Sequence, residues 1–279
     1  MVKINKQGDF LKFLGTAGAR FVMIKQLRAS GGIWISHKGT NVLIDPGPGS
    51  IVRCAASRPK LDPSKLDGII LTHRHLDHSG DINVMIEAMT EGGFKKRGVV
   101  FCPKDAIEED PVILSHTKNF PERIEILAEN KLYRVGEFEF QTSMRHIHPV
   151  ETYGLKFKIP AEGGGACGGK NTSVSLLADT KYFRELVDFY KTDILIICVV
   201  FFEPRVGIDH LNLLDVESLI KDIKPKKAIL THFGMTMLKA KPHIKAEELT
   251  KRSGVQVLAA YDGMTLDPSS FSRGKFLLR

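Results

Sequence analysis

The sequence contains few cysteines, and none of them has the paired spacing of a structural zinc site or a disulfide framework. Its four cysteines are Cys54, Cys102, Cys167 and Cys198, and no CxxC pair occurs among them. Widely separated cysteines of this kind are typical of proteins from a reducing compartment. We therefore expect a cytoplasmic protein without structural disulfides.

Long apolar segments are also absent. The longest apolar run, ILIICVVFF at 194–202, is shorter than the roughly 20 residues that a membrane-spanning helix needs. A buried strand explains it better. The N-terminal stretch MVKINKQGDF lacks the apolar core and small-residue cleavage site of a signal peptide. We expect no membrane association.

No internal repeat, low-complexity tract or proline-rich linker divides the chain. With 279 residues, of which 43% are apolar, it can bury a sizeable core, and we predict a single domain over residues 1–279. The 40 lysines and arginines exceed the 32 acidic residues, which gives a net charge of +8. This charge favours anionic partners such as phosphates or nucleic acid, although the scattered cations mostly indicate solvated surface.

Apolar alternation predicts short strands early in the chain and helices between strands thereafter, as in sheets covered by helices. The hairpin signal is Lys38–Gly39, between two of the strands. Helices are expected at 79–93, with Ser79 as N-cap, and at 180–192, 212–224 and 245–253. Strands are expected within 10–16, 32–39, 41–47, 68–73, 98–103, 138–148, 153–159, 174–179, 193–202, 227–234 and 255–268.

The segment THRHLDHSGD at 72–81 concentrates histidines and acidic groups directly after the apolar run GIIL. His73 and His75 alternate on an extended segment, so their side chains project to the same side. Asp77 and His78 follow where the chain turns into a helix. Imidazoles and carboxylates are ligands for zinc and its first-row neighbours. Four such groups exceed the need of one catalytic cation and favour two; a solvated histidine-rich loop is the alternative interpretation.

Further candidate ligands stand at the ends of other predicted strands. Asp179 ends the strand VSLLAD, and His232 follows the strand KAIL in KAILTHFG. His146 and His148 stand near the end of an alternating run, and period-2 spacing points both to one side. Several such groups at strand ends, together with HRHLDH, favour a shared metal site over isolated structural roles.

These motifs resemble the metallo-β-lactamase superfamily. HRHLDH fits the HxHxDH signature, and NVLIDPGPG with Asp45, then His148, Asp179 and His232, stand in the family's order. The resemblance runs from FLGTAGAR at 13–20 to AAYDGMTLDP at 259–268. It implies an α/β (α+β) fold, a four-layer αββα sandwich with two sheets face to face and the metals at one edge between them.

The resemblance also implies two divalent cations, expected to be zinc, with manganese or iron as alternatives. The expected ligands of one cation are His73, His75 and His148. The expected ligands of the other cation are Asp77, His78 and His232. Asp179 is expected to bridge the two cations.

The residues around these ligands are expected to orient them. HPVETYG resembles the family's histidine followed six residues later by glycine, which favours His148 over His146 as the ligand. His146 is then either a neighbour of the site or a buried, hydrogen-bonded histidine. Asp45 is expected to hold ligands in place by hydrogen bonds.

Within the superfamily, the chain looks most like the ribonuclease Z and phosphodiesterase branch. The flavodiiron branch has glutamate where this chain has His75, which disfavours redox chemistry. The branch also places a histidine that assists at the phosphate, and His210 in IDHLNLLDV stands in that place. HLNL departs from the HxAT or HxST form of the branch, so a surface residue that caps a helix is the alternative interpretation of His210.

The stretch where ribonuclease Z inserts a long tRNA-binding arm is short here. Only LKFKIPAEGGGACGGKNTS separates Gly154 from VSLLAD, enough for a strand and a glycine-rich hairpin. The resemblance therefore favours a smaller substrate than tRNA. The glycine-rich stretch also lacks the strand-then-helix context of a dinucleotide or P-loop site.

We predict a metal-dependent hydrolase that acts on a small anionic or nucleotide-type phosphodiester, with Asp77 and His210 as catalytic residues. Two cations in one pocket activate water near neutral pH, and the family's dimetal centre also attacks carbonyl groups. The alternatives are a thioesterase or lactonase, a tRNA 3′-end endonuclease, or a non-catalytic binding protein. The branch resemblance also suggests nucleic acid as a partner and a homodimer as the assembly.

Overall fold

The computed structural model describes residues 8–108, 110–160 and 171–267. The glycine-rich hairpin expected from the sequence, together with Cys167, falls largely in 161–170, outside the described residues. The described cysteines, Cys54, Cys102 and Cys198, are buried free thiols. No helix within the described ranges is long and apolar enough to cross a membrane.

Strands and short helices alternate along the described chain. The strands are β1 (Phe10–Phe13), β2 (Ile33–His37), β3 (Thr40–Ile44), β4 (Gly68–Ile70), β5 (Val99–Cys102), β6 (Arg123–Ile126), β7 (Leu132–Val135), β8 (Phe138–Arg145), β9 (Tyr153–Pro160), β10 (Asn171–Leu177), β11 (Ile194–Cys198), β12 (Lys227–Thr231), β13 (Gln256–Ala259) and β14 (Thr265–Leu266). The α-helices are α1 (Ala19–Ile24), α2 (Ser50–Ala56), α3 (Leu76–Ser79), α4 (Ile82–Met89), α5 (Leu186–Phe189), α6 (Leu213–Ile223), α7 (Met235–Lys239) and α8 (Pro242–Ser253). Short 3₁₀ helices lie at Pro63–Lys65, Lys104–Ala106 and Thr117–Asn119.

The strands form two seven-stranded mixed sheets. The first sheet has the order β14-β1-β2-β3-β4-β5-β6, and the second has the order β13-β12-β11-β10-β9-β8-β7. In each sheet one half is antiparallel and the other half, β3 to β6 or β10 to β13, is parallel. The parallel halves place several strand ends at a common edge, where loops are free to carry function.

Three apolar clusters define the layers. The central cluster packs residues of both sheets against each other, among them Ile44 of β3 and Ile196 of β11. A second cluster packs the outer face of the first sheet against α2 and α4. The third packs the outer face of the second sheet against α5, α6 and α8. Helices therefore cover both outer faces, and the predicted αββα sandwich is confirmed.

Most predicted elements are present, with two corrections. The β2–β3 hairpin turns at Lys38–Gly39 as predicted, with positive φ at both residues. Ser79 is not an N-cap: it ends the one-turn helix α3, its hydroxyl donates to the carbonyl of Arg74, and α4 begins after Asp81. The helix predicted over 180–192 is helical only in α5, because the preceding residues form turns.

Candidate metal centre

The HRHLDH segment lies just beyond the end of β4. His73 is buried in the connection that follows β4, and His75 is the N-cap residue of α3. Asp77 and His78 lie on α3, a helix of a single turn. The tight turn brings these four side chains back over the strand end, as the sequence predicts.

The remaining candidate ligands come from the second sheet. His148 follows the end of β8, and Asp179 lies two residues beyond β10. His232 comes directly after β12. Strand ends of the two facing sheets therefore supply one cluster, although its residues are far apart in the sequence.

One group, the first trio, consists of His73, His75 and His148. Its ligand-capable atoms all lie within 4.8 Å of one another. His75 Nδ1 is 3.0 Å from His148 Nε2. Two imidazole nitrogens at this separation leave room between them for a proton or a shared cation.

The second trio consists of Asp77, His78 and His232, whose ligand-capable atoms meet the same 4.8 Å limit. His78 Nε2 is 2.9 Å from His232 Nε2. Asp77 Oδ2 lies 3.2 Å from His232 Nε2 and 3.8 Å from His78 Nε2. Two imidazoles and a carboxylate are a donor set that suits a divalent cation.

Asp179 lies between the two trios and is buried. Its Oδ2 is 3.8 Å from His73 Nε2 and 3.5 Å from His78 Nε2, while its Oδ1 is 3.1 Å from His232 Nδ1. One carboxylate therefore faces ligands of both trios, which is the placement that a bridging role requires.

Asp45 orients His78 of the second trio through a hydrogen bond. Its Oδ2 is 2.9 Å from His78 Nδ1, and its two oxygens accept hydrogen bonds from the backbone N–H and the hydroxyl of Thr72 at 2.7 and 2.8 Å. Because a carboxylate oxygen accepts hydrogen bonds, the neutral form of His78 carries its proton on Nδ1 and directs the lone pair of Nε2 toward the cluster. Thr72, which the sequence analysis did not single out, opens the THRHLDH motif.

His146 and His148 lie in different surroundings. Both ring nitrogens of the buried His146 face protein partners: Nδ1 lies 3.1 Å from the carbonyl oxygen of Asp179, and Nε2 lies 2.7 Å from the hydroxyl of Tyr190. His148 uses Nδ1 toward the carbonyl oxygen of Asp209 at 3.0 Å and keeps Nε2 in the first trio. This geometry favours His148 as the ligand.

The protonation states suit cation binding. Burial lowers the pKa of His73 well below its ordinary value and that of His75 to about 4, so both imidazoles are neutral at pH 7. Burial opposes ionisation of Asp77 and Asp179, yet the adjacent histidines lower the pKa of both carboxyl groups. Burial also opposes charge on His78, but the neighbouring carboxylates outweigh it and raise that pKa; a bound cation would favour the neutral imidazole instead.

Several buried polar atoms in the cluster have no hydrogen-bond partner among the described residues. They are His73 Nε2, Asp179 Oδ1, His210 Nδ1 and His232 Nδ1. Each such atom costs about 1–3 kcal/mol if it stays unsatisfied. Their convergence on one point, with imidazole and carboxylate chemistry, fits divalent cations.

His210 belongs to the cluster rather than to the outer surface. Its Nδ1 is 3.5 Å from Asp179 Oδ2, and its ring lies edge-on to the rings of His148 and Phe201, with centroids 5.1 and 6.0 Å away. The helix-cap interpretation is wrong, because Asn212 caps α6 through a capping box with Asp215.

Cys198 is one of the four widely separated cysteines, and its spacing in the sequence indicates no metal site. Its sulfur lies within 4.8 Å of ligand atoms of Asp179 and His232. Because Cys198 ends an entirely buried apolar strand, the sequence carried no signal for this position.

Two residues of the cluster adopt left-handed backbone conformations, Asp45 with φ 52° and His232 with φ 59°. Such conformations persist only where the surroundings enforce them. Gly18 contributes to this at His232, since a Cβ on Gly18 would overlap the His232 carbonyl oxygen and lie 2.8 Å from Nδ1. The FLGTAGAR motif therefore keeps a glycine where the backbone must approach a candidate ligand.

Comparison with known proteins places this geometry in a family. A profile described as "Beta-lactamase superfamily domain" matches residues 40–233. The chain is 27% identical over 262 residues to an uncharacterized protein of Methanocaldococcus jannaschii, covering 91% of this chain and 93% of that one. It is 30% identical over 149 residues to a ribonuclease Z of Thermococcus kodakarensis, which covers 52% of this chain and 45% of that enzyme.

Solved structures share the fold. The metallo-β-lactamase fold protein YhfI of Bacillus subtilis superimposes with a TM-score of 0.69 at 20% identity, covering 92% of this chain and 98% of that one. A diphosphatase of the PhnP family gives a TM-score of 0.65 at 19% identity, covering 93% and 97%. Clusters of histidine and aspartate able to bind metal ions stand at one edge of the same fold here. The chain belongs to the metallo-β-lactamase superfamily of metallo-hydrolases.

Proposed function

We propose that the chain is a metal-dependent phosphodiesterase that acts on a small or nucleotide-type phosphodiester. In this proposal the first trio would hold one cation, the second trio would hold the other, and Asp179 would contribute to both. The observation that carries the proposal is the position of Asp179, whose two oxygens face His73, His78 and His232 at 3.1–3.8 Å.

Two divalent cations, when bound, supply Lewis acidity toward phosphoryl oxygens and an activated water. The protein groups fix the geometry. Asp45 keeps the proton of His78 on Nδ1, and the Asp209 carbonyl does the same for His148. The lowered pKa values of Asp77 and Asp179 keep these carboxyl groups ionised, and those of His73 and His75 keep these imidazoles neutral, as cation binding requires. His210 turns Nδ1 toward Asp179, which leaves Nε2 to stabilise charge or donate a proton at the leaving oxygen.

The substrate class follows from two further observations. The relatives include a diphosphatase and ribonuclease Z enzymes, whose names indicate cleavage at phosphorus. The segment between β9 and β10 spans only residues 161–170, too few for a folded tRNA-binding arm. These points favour a phosphodiester smaller than tRNA over a tRNA 3′-end substrate.

The proposal is tested by elemental analysis and a substrate panel. Protein purified without chelator and reconstituted with zinc, manganese or iron is assayed on bis-p-nitrophenyl phosphate, a cyclic nucleotide, a thioester and a lactone. We expect about two cations per chain and turnover of the phosphodiesters. Turnover of only the thioester or the lactone would replace the proposal with the carbonyl hydrolase alternative, and no turnover at full metal loading would favour a binding protein.

Asp179→Ala is the matching variant, and Asp188→Ala is its control. Asp188 is an exposed carboxylate paired with Lys191 at 2.8 Å, away from both trios. We expect Asp179→Ala to lose bound metal and activity together, while Asp188→Ala keeps both. Full metal content and turnover in Asp179→Ala would refute the bridging role.

We also propose a domain organisation, a cellular compartment and an assembly for the chain. One site built from both sheets favours a single domain over residues 1–279, and buried free thiols at Cys54, Cys102 and Cys198 favour a reducing cytoplasm. A homodimer is proposed from the family resemblance. Sedimentation velocity of the metal-loaded protein checks the assembly.

A further inference from the structure

We propose that Arg205 binds a second anionic group of the substrate, next to the phosphodiester that is cleaved. This inference rests on the proposed function, because it assigns the substrate class of the same site. A substrate with one isolated phosphate would make no use of Arg205, whereas an oligonucleotide or a terminally phosphorylated nucleotide would.

Arg205 stands on a loop, residues 202–210, whose two ends are fixed. The N–H of Phe201 donates to the carbonyl of Leu211 at 3.2 Å, and the N–H of Phe202 donates to the hydroxyl of Thr236 at 3.1 Å. Between these points, residues 203–208 are exposed. The loop therefore projects from a rigid base into solvent beside the metal centre.

A series of side-chain contacts connects Arg205 with the candidate metal ligands. The guanidinium carbon lies 5.3 Å from the centroid of the Phe201 ring, which is the geometry of a cation–π contact. The Phe201 ring in turn lies 6.0 Å from the His210 ring at an interplanar angle of 75°. His210 faces Asp179 at 3.5 Å. Arg205 is thus two ring contacts away from His210 and three contacts away from Asp179, the carboxylate between the trios.

Arg205 has no acidic partner in the part of the chain that the structure describes. Among the described residues it forms no ion pair, although Glu203 and Asp209 share its loop. Arg74, a cation on the HRHLDH segment itself, is by contrast held by Asp105 at 3.3 Å and Asp110 at 3.5 Å. A guanidinium that is exposed, stacked on a ring and free of carboxylates is suited to bind phosphate through two parallel hydrogen bonds.

Phe201 is the positioning residue in this arrangement. Its ring lies edge-on to the ring of the catalytic candidate His210 and also carries the guanidinium of Arg205. Ring stacking reduces the freedom of the long arginine side chain, so less entropy is lost when an anion binds. This series of contacts therefore sets the spacing between the cleaved phosphodiester and the second anionic group.

The test compares three thymidine dinucleotides on the metal-loaded protein: one with a 5′-terminal phosphate, one with a 3′-terminal phosphate and one with neither. We expect Arg205→Ala to raise KM about tenfold or more for one of the phosphorylated forms, the usual loss for a hydrogen bond to a charged group. Its kcat, and its KM for the unphosphorylated form, should stay within about twofold. Equal effects on all three substrates, or no effect, would overturn the inference.

Lys131→Ala is the matched control. Lys131 is also an exposed cation over an aromatic ring, with Nζ 4.9 Å from the Tyr133 centroid, but it precedes the edge strand β7. Its removal lowers the net charge by the same amount and should leave all KM values unchanged. A rise in KM equal to that of Arg205→Ala would mean that only general electrostatic attraction is involved, which would contradict the inference.

Two further measurements separate the inference from the proposed function. Phe201→Leu should raise the same KM, and the double variant with Arg205→Ala should be no worse in KM than Arg205→Ala alone, because both act through one contact. If neither the dinucleotides nor the phosphodiesters of the substrate panel are hydrolysed, the proposed function fails, and calorimetric binding of the phosphorylated dinucleotides decides the inference separately. Identical affinities for wild type and Arg205→Ala would then reject it.

Discussion

Replacing Asp45 by asparagine tests how the second trio is held. Asp45 has φ 52°, a left-handed conformation that asparagine tolerates better than most residues, so the backbone can stay in place. The amide oxygen of the asparagine can still accept a hydrogen bond from the Thr72 N–H, which lies 2.7 Å from Asp45 Oδ1 in the wild-type protein. The amide nitrogen then faces His78 Nδ1, and two donors oppose each other.

The conflict is relieved when His78 moves its proton from Nδ1 to Nε2. Protonated Nε2 can no longer bind a cation, so the second trio loses a ligand while the first trio keeps all three. Loss of such an orienting partner lowers metal affinity about 10- to 100-fold, which corresponds to about 1.4–2.7 kcal/mol. We expect this loss for one cation only.

Metal affinity is measured by competition with a chromogenic chelator, and metal content by elemental analysis after dialysis. Asp262→Asn is the control, because Asp262 also accepts three hydrogen bonds, from Thr16 N–H and hydroxyl and from Ala29 N–H, but contacts no candidate ligand. The control should lose stability and keep both cations. Two equally tight cations in Asp45→Asn would show that the tautomer of His78 is not set by Asp45.

Four further substitutions address individual residues. His210→Ala should keep both cations but reduce kcat by about 10²–10⁴-fold, the usual contribution of general acid–base catalysis; unchanged kcat would return His210 to a non-catalytic role. His148→Ala should lose about one cation per chain. His146→Gln should keep two, because the ring of His146 bonds only protein groups. Elemental analysis distinguishes the two outcomes. Gly18→Ala should displace His232, because the added Cβ overlaps its carbonyl oxygen. Metal retention and turnover should therefore fall together. Wild-type metal content in this variant would show that the backbone around Gly18 can shift to accommodate the methyl group.

The sequence predicts the parts of the fold that depend on local periodicity. The helix α6 has apolar residues at helical spacing on one face and Asn212 at its start, and it forms as predicted. Strand β6, with sequence RIEI, was missed because none of its residues is buried and it lies at a sheet edge. The alternation of β7 is too short to stand out. Helix α1 was also missed, since Phe21 and Ile24 are exposed and blur any apolar face.

The residues of the candidate site also differ in whether the sequence alone can predict them. HRHLDH could be recognised because its four groups lie close together in the sequence, and Asp179 and His232 because each follows an apolar strand. Thr72, Gly18 and Cys198 could not be recognised, since their roles come from contacts between strand ends that only the pairing of the two sheets creates. The choice between His146 and His148 likewise depends on Tyr190, which is distant in the sequence.

Strand ends carry the candidate metal ligands, whereas a loop carries Arg205. This difference explains why the reaction class is easier to infer than the substrate. Most of the candidate ligands follow β4, β10 or β12, whose register is fixed by buried apolar residues on both faces, so their positions follow from the core. Arg205 lies on an exposed loop that no core contact specifies beyond its two fixed ends. Substitutions within residues 203–208 can therefore change which anionic group is bound without disturbing the trios. Substrate preference in this chain should accordingly vary with the loop that carries Arg205, while metal binding depends on the packing of the two sheets.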